Sequence, residues 1–195
     1  MISFRAYAMA VERVERRLRR VTAALNAARI PHAVVGGNAV ATWVARADPS
    51  ATRTTKDVDL LVRRSDLERI TQVLAEVGFQ RQDLRTLVLF VDPEEPSRRS
   101  GVRLVWADER IRPSYGLPAP SVDESELDPV GFRVLSLPAL VRMKLTSNRD
   151  IDRVHVADLL SVKLIDDAVR AALPGELRSR LAAIEQQLDD QSADH

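Results

Sequence analysis

The chain has 195 residues, enough for one domain, or one domain with a helical appendage, around a substantial core. Apolar residues make up 45% and charged residues 29%, which excludes a disordered chain, and a net charge of +1 supplies no global field toward nucleic acid or membrane. The lack of cysteine excludes disulfides, thiol nucleophiles and thiolate metal sites; with no apolar run of membrane-spanning length and no secretory pattern at the arginine-rich start, the expectation is a cytoplasmic protein without membrane contact.

In chain order, Arg5 to Arg29 predicts a helix stopped by Pro31. Val11, Val14, Leu18, Val21 and Leu25 recur at helical spacing, and the arginines Arg13, Arg16, Arg17, Arg19 and Arg20, partly balanced by Glu12 and Glu15, read as a solvated face, with contact to RNA as the alternative. His32 to Val35 predicts a short buried strand, Gly36-Gly37-Asn38 a tight turn, and Ala39 to Arg46 a helix with Asn38 as a reasonable N-cap. Strand, glycine turn and helix start together form a natural anion site, because glycine admits close approach and the helix dipole points its positive end there. A plain turn is the alternative.

The loop from Ala47 to Thr55 carries Arg53, with Lys56 just beyond. Next comes Asp57-Val58-Asp59-Leu60-Leu61-Val62. Strand alternation sends the Asp57 and Asp59 side chains to one side. Carboxylates in such an apolar run need positive compensation, and this pair suits a hard divalent cation such as Mg2+. The alternative is a capping Asp57 and a solvated Asp59. Ser65-Asp66-Leu67-Glu68 reads as a capping box for a helix that Gly78 stops after Val77. Leu87 to Val91 and Val102 to Trp106 predict antiparallel strands joined through a turn at Pro93 to Ser97. An irregular stretch from Arg112 to Asp128 separates an α/β part, 1–112, from a helical part, 113–195, the two expected to form one compact unit.

In the second part, Ser136 and Pro138 open a helix whose stripe of Leu137, Leu140 and Val141 has Lys144 in its middle. In the following helix Ile151, Val154, Val162 and Ile165 define a stripe with Asp158 at its centre and His155 one turn earlier. Inward charges rarely go unpaired. Either they form a structural ion pair, which adds little net stability, or they line a cleft against the Asp57–Asp59 strand. Leu173 to Asp190 predicts an amphipathic helix with Leu177, Leu181, Ile184 and Leu188 inward, followed by a fraying end, Gln191 to His195.

These segments, in this order, resemble the DNA polymerase beta-like nucleotidyltransferase superfamily and, more narrowly, the AbiEii-type nucleotidyltransferase toxins and their bacterial relatives. The resemblance covers Ile30 to Ile165. It rests on Val34-Val35-Gly36-Gly37-Asn38-Ala39-Val40, on Arg53-Thr54-Thr55-Lys56-Asp57-Val58-Asp59-Leu60-Leu61-Val62, and on Lys144 through Asp158. It implies an α/β (α+β) fold, a small mixed β-sheet flanked by helices with a helical C-terminal half. It also implies Mg2+-dependent transfer of a nucleoside monophosphate from an NTP to a hydroxyl on RNA, tRNA or protein, with Mn2+ as an alternative metal and a cognate antitoxin as a further partner. By the same resemblance Gly36 and Gly37 hold the triphosphate with Asn38, Arg53 and Lys56 nearby. Asp57 and Asp59 bind the metal, and Lys144 with Asp152 or Asp158 completes the catalytic set.

Three departures stand out. Gly37 occupies the position where the family often has serine. The glycine turn and the aspartate pair are separated by a longer loop than usual. Val105 stands where a third carboxylate is expected, with Asp108 and Glu109 just beyond. These departures leave room for a non-catalytic nucleotide-binding or regulatory relative, and for a small-molecule, antibiotic-type nucleotidyltransferase.

Overall fold

A computed structural model describes residues 4–53, 55–96 and 100–193; Thr54 of the quoted motif, Ser97 of the expected turn and the last two residues of the expected fraying end lie outside this set. Helix α1 (Phe4–Ala27) buries Leu18, Val21 and Leu25. It ends before Pro31, because Arg29 turns into the left-handed region (φ 54) and the Ile30 N–H bonds back to the Leu25 carbonyl. One arginine of the expected solvated face is inside: Arg17 is buried, ion-paired with Glu95 and donating to the Lys56 carbonyl.

Strand β1 (His32–Val35) is buried throughout, as its apolar composition predicts. No separate turn follows it. Gly36, at φ +69, swings the chain directly into α2 (Gly36–Ala47). Asn38 caps nothing; its Nδ2 donates to the Asp57 carbonyl at 2.6 Å. Further along α2, Trp43 is only partly inward, donating from Nε1 to the Leu135 carbonyl at 3.0 Å while the Arg46 guanidinium lies 4.3 Å from its ring.

Strand β2 (Val58–Val62) leads through a 3-10 turn to α3 (Leu67–Glu76), whose N-terminus carries no side-chain capping bond, so the expected capping box does not form. Gly78 (φ +89) stops the segment as expected. Strand β3 (Gln80–Leu84) escaped the sequence reading because Gln-Arg-Gln-Asp-Leu has no apolar alternation; it sits at the sheet edge, where polar residues are tolerated. Strands β4 (Leu87–Val91) and β5 (Val102–Trp106) pair antiparallel as predicted. Two three-residue strands follow inside and just after the irregular stretch, β6 (Ser125–Leu127) and β7 (Arg133–Leu135).

All seven strands join one mixed sheet in the order β3-β4-β5-β2-β1-β7-β6. β2 runs antiparallel to β1 and parallel to β5, and β7 runs parallel to β1 with Val34 opposite Val134. The sheet therefore draws strands from both sides of residue 112. Helices α4 (Leu137–Ser147), α5 (Asp150–Ser161), α6 (Asp167–Ala171) and α7 (Gly175–Ala193) complete the described chain. α2 packs on β2, α4 and α5, and α1 on α3. Each fully buried Leu or Val in this core contributes about 1.5–3 kcal/mol.

Helix α5 corrects the predicted stripe. Ile151 and Val154 are 51% and 40% exposed, while Asp152, Val156 and Leu159 face the core. Val162 and Ile165 lie past the helix end. The two residues of the expected stripe that lie within the helix belong to its outer face, and the buried acid of this helix is Asp152.

Candidate active site

The site begins at β2. Asp57 directly precedes the strand and Asp59 lies within it, and both carboxylates reach a single guanidinium. Arg103 of β5 donates from Nε to Asp59 Oδ1 at 2.7 Å and pairs through Nη2 with Asp57 Oδ2. The parallel register explains this, because Asp59 stands opposite Arg103. Alternation does put the two aspartates on one side, and the positive compensation their burial demands is a residue the sequence reading did not weigh.

Burial pushes the Asp57 carboxyl up; Arg103 opposes that, and Arg17 and Lys56 add smaller favourable charge. Glycine at position 36 is required by contact as well as by φ: a Cβ there would fall 2.1 Å from Asp59 Oδ2. At Gly37 a Cβ would meet Thr55 at 3.1 Å. With the Asn38 bond to Asp57, the start of α2 and the aspartate pair form one tightly fitted unit.

A second cluster comes from α4 and α5. Lys144 is 5% exposed and donates to Asp152 Oδ1 at 3.0 Å. Asp152 also accepts from Ser147 Oγ (2.6 Å) and from Arg149 Nε (2.7 Å) and Nη2 (3.2 Å). Burial alone would raise the Asp152 carboxyl, but the Arg149 bond, the Lys144 charge and the Ser147 hydroxyl outweigh it and hold the group well below the usual carboxylate range. Burial pushes Lys144 down, against the pull of Asp152. The charge of Asp59 is felt at both Lys144 and Arg149, so the second cluster lies within electrostatic reach of the first.

Of the two acids offered with Lys144, Asp152 is the one that pairs with it. Asp158 pairs instead with Arg53 at 2.8 Å, beside His155. A small cleft at the start of α2 is lined by Gly37, Val40, Arg53, Thr55, His155 and Asp158. Within it His155 Nδ1 and Asp158 Oδ2 are buried without a hydrogen-bond partner among the described residues. Burial, reinforced by the Lys144 charge, pushes His155 down to about 4, so the imidazole is neutral at pH 7. Lys56 is exposed beside the aspartates.

The strand position opposite Asp59 holds Arg103, and Val105 lies opposite Leu61. Glu109 does not stand in for a third acid, because Arg64 holds its carboxylate. Among the described residues no group of three or more His, Cys, Asp or Glu is placed to hold a metal ion. Two hard carboxylates nonetheless fit Mg2+, which takes one or two protein carboxylates and completes its shell with water and substrate phosphates. Sequence reasoning missed Arg103, Arg149 and Ser147. Arg103 carried a signal, since a charge inside an apolar strand next to a D-x-D strand asks for an acidic neighbour.

A family model described as an uncharacterised nucleotidyltransferase matches residues 3–109, more than half of the chain. The protein belongs to that nucleotidyltransferase family. Three solved structures share its fold. The antibiotic-resistance factor ANT(2'')-Ia in solution is 14% identical with a TM-score of 0.56, over 94% of this chain and 98% of that one. The crystal structure of ANT(2'')-Ia in complex with adenylyl-2''-tobramycin is 15% identical with a TM-score of 0.54, over 91% and 99%. An antigenic nucleotidyltransferase-like protein from Paracoccidioides brasiliensis is 19% identical with a TM-score of 0.54, over 91% and 90%. No curated protein sequence matches the chain. No helix among the described residues is long and apolar enough to cross a membrane.

Proposed function

We propose that the protein transfers a nucleoside monophosphate from an NTP to a hydroxyl acceptor on RNA or protein, in the manner of a toxin-like nucleotidyltransferase that uses Mg2+, with Mn2+ able to replace it. The cysteine-free sequence suits a cytoplasmic setting. The observation that carries the reading is the placement of Asp59 against Gly36, with Asp57 joined to it through Arg103 and Lys144 and Arg149 within electrostatic reach of Asp59.

Asp57 and Asp59 would hold the metal, which when bound neutralises phosphate charge and orients the in-line displacement. Gly36 and Gly37 let the start of α2 approach the triphosphate, and the dipole of that helix favours its charge. Lys144, oriented by Asp152, stabilises negative charge as it develops on the phosphates. Arg53 and the exposed Lys56 draw the nucleotide toward the turn. His155, neutral at pH 7, and Asp158 each present an unpartnered atom that can accept the acceptor's proton.

The test incubates radiolabelled NTPs and Mg2+ with total RNA, a protein extract and an aminoglycoside, comparing wild type with the Asp57→Asn/Asp59→Asn double variant. Transfer to RNA or protein is expected, falling by at least about a hundredfold in the variant. Transfer to the aminoglycoside would move the protein to the small-molecule class. Activity retained in the double variant would sink the metal assignment. Arg103 specifically favours a second reading, a non-catalytic nucleotide-binding relative, because it already occupies both carboxylates of the aspartate pair. Nucleotide binding without transfer would establish that reading.

A further inference from the structure

The feature least like a ready metal site is also the most specific one. A single guanidinium spans both carboxylates, bonding Asp59 at 2.7 Å (Nε to Oδ1) and 3.3 Å (Nη2 to Oδ2) and pairing with Asp57 through the same Nη2. Planar fork-to-carboxylate contacts of this kind are among the stronger ion pairs, and the strand register places Arg103 directly opposite Asp59. The surroundings are already rich in positive charge. Arg17 and Lys56 act on Asp57, and Lys144 and Arg149 are within reach of Asp59. A bare divalent cation would have to displace Arg103 beside four further cations that Glu95 and Asp152 only half balance, with no new partner for the arginine it expels.

A metal–triphosphate complex changes both terms. Its phosphates bring negative charge to the cluster and offer the released guanidinium an equivalent bidentate partner. Arg103 has a way out, since its side chain is 36% exposed while Asp59 is fixed against Gly36.

We propose that Arg103 is a built-in cation at the Asp57–Asp59 pair that bars free divalent ions and turns onto the triphosphate when a metal–nucleotide complex arrives, so that metal enters only together with nucleotide. The inference rests on the metal-and-nucleotide reading above. It makes Arg103 a positioning residue that sets the order of binding.

Free Mn2+ counted by electron paramagnetic resonance tests it on the full chain without nucleotide. Wild type is expected to take up Mn2+ at least about tenfold more weakly than Arg103→Gln, and adding Asp57→Asn/Asp59→Asn to that variant should abolish the gain. Equal uptake by wild type and Arg103→Gln overturns the proposal. Should Arg103→Gln fail to fold, the wild-type protein carries the test through the 15Nε signal of Arg103. That signal should move on adding Mg2+ with a non-hydrolysable NTP analogue and stay still with Mg2+ alone; movement with Mg2+ alone overturns the proposal.

The labelled-transfer assay separates this outcome from that of the proposed function. Transfer by a wild type that binds Mn2+ as tightly as the variant removes the barrier and leaves the transferase. A variant that gains Mn2+ while neither protein transfers label upholds Arg103 as the resident cation and removes the transferase.

Discussion

At the scale of single residues, Lys144 and Asp152 show what a buried pair does for stability and what it does for chemistry. Asp152→Asn strands the Lys144 charge in the core and should cost about 3–5 kcal/mol in denaturant unfolding, whereas Lys144→Met leaves Asp152 held by Arg149 and Ser147 and should cost less. The Lys144→Met/Asp152→Leu double variant should cost less than the sum of the singles, yet remain inactive if Lys144 acts on phosphate. A folded and active double variant would make the pair purely structural. Lys144 was legible because it interrupts an apolar stripe. The sequence does not separate Asp152 from Asp158, because Ile151 and Val154, which set the apparent stripe of α5, are exposed; isolated surface hydrophobics are common and carry no orientation. Arg149 was not legible as a site residue, since only helix packing brings it to Asp152, and the signal at Arg103 names no partner until the strand register sets it opposite Asp59.

At the scale of elements, the junction of β1 and α2 is where the fold sets the site. The glycines were legible as a close-approach turn, but a turn-then-helix pattern cannot show that the left-handed residue would lean on Asp59. A comparison of two glycines isolates that contact. Gly36 and Gly78 both have positive φ, at +69 and +89, but a Cβ at Gly78 meets nothing within 4 Å whereas one at Gly36 meets Asp59 at 2.1 Å. Gly78→Ala should lower stability by the left-handed penalty alone, about 1–2 kcal/mol. Gly36→Ala should cost more and also lower NTP affinity; equal melting temperatures for the two would remove the packing argument. The short strands β6 and β7 and the polar β3 were invisible for a different reason. Three residues carry too little periodicity, and an edge strand need not alternate.

For the whole molecule, the pH dependence of stability follows from buried groups whose pKa folding lowers. His155 titrates near 4 when folded against an ordinary 6.5. Between those values the unfolded chain holds a proton that the folded one lacks, so stability falls as pH drops through that window, on the order of 2–3 kcal/mol in total. The depressed Asp152 carboxyl acts lower: its stabilisation is complete above 3.8 and is lost as pH falls below that. Arg53, Lys144, Arg149, Asp152 and Asp158 surround the imidazole, so His155→Gln should flatten the pH 6.5 to 4 limb of the melting curve and leave the lower one. An unchanged upper limb would show that His32, also buried and pushed down, carries it instead.

The indole of Trp43 has a practical consequence. It is carried by α2, next to the glycine turn, yet its N–H is spent on the Leu135 carbonyl at the end of β7, with Arg46 stacked over the ring. The chain has only two tryptophans, Trp43 and Trp106. Replacing Trp106 by phenylalanine leaves one fluorophore that joins the first part of the chain to the second, and separation of α2 from β7 frees its N–H to water and shifts its emission to the red. The protein thus contains its own optical gauge of whether the helix that begins at Gly36 stays docked when nucleotide binds.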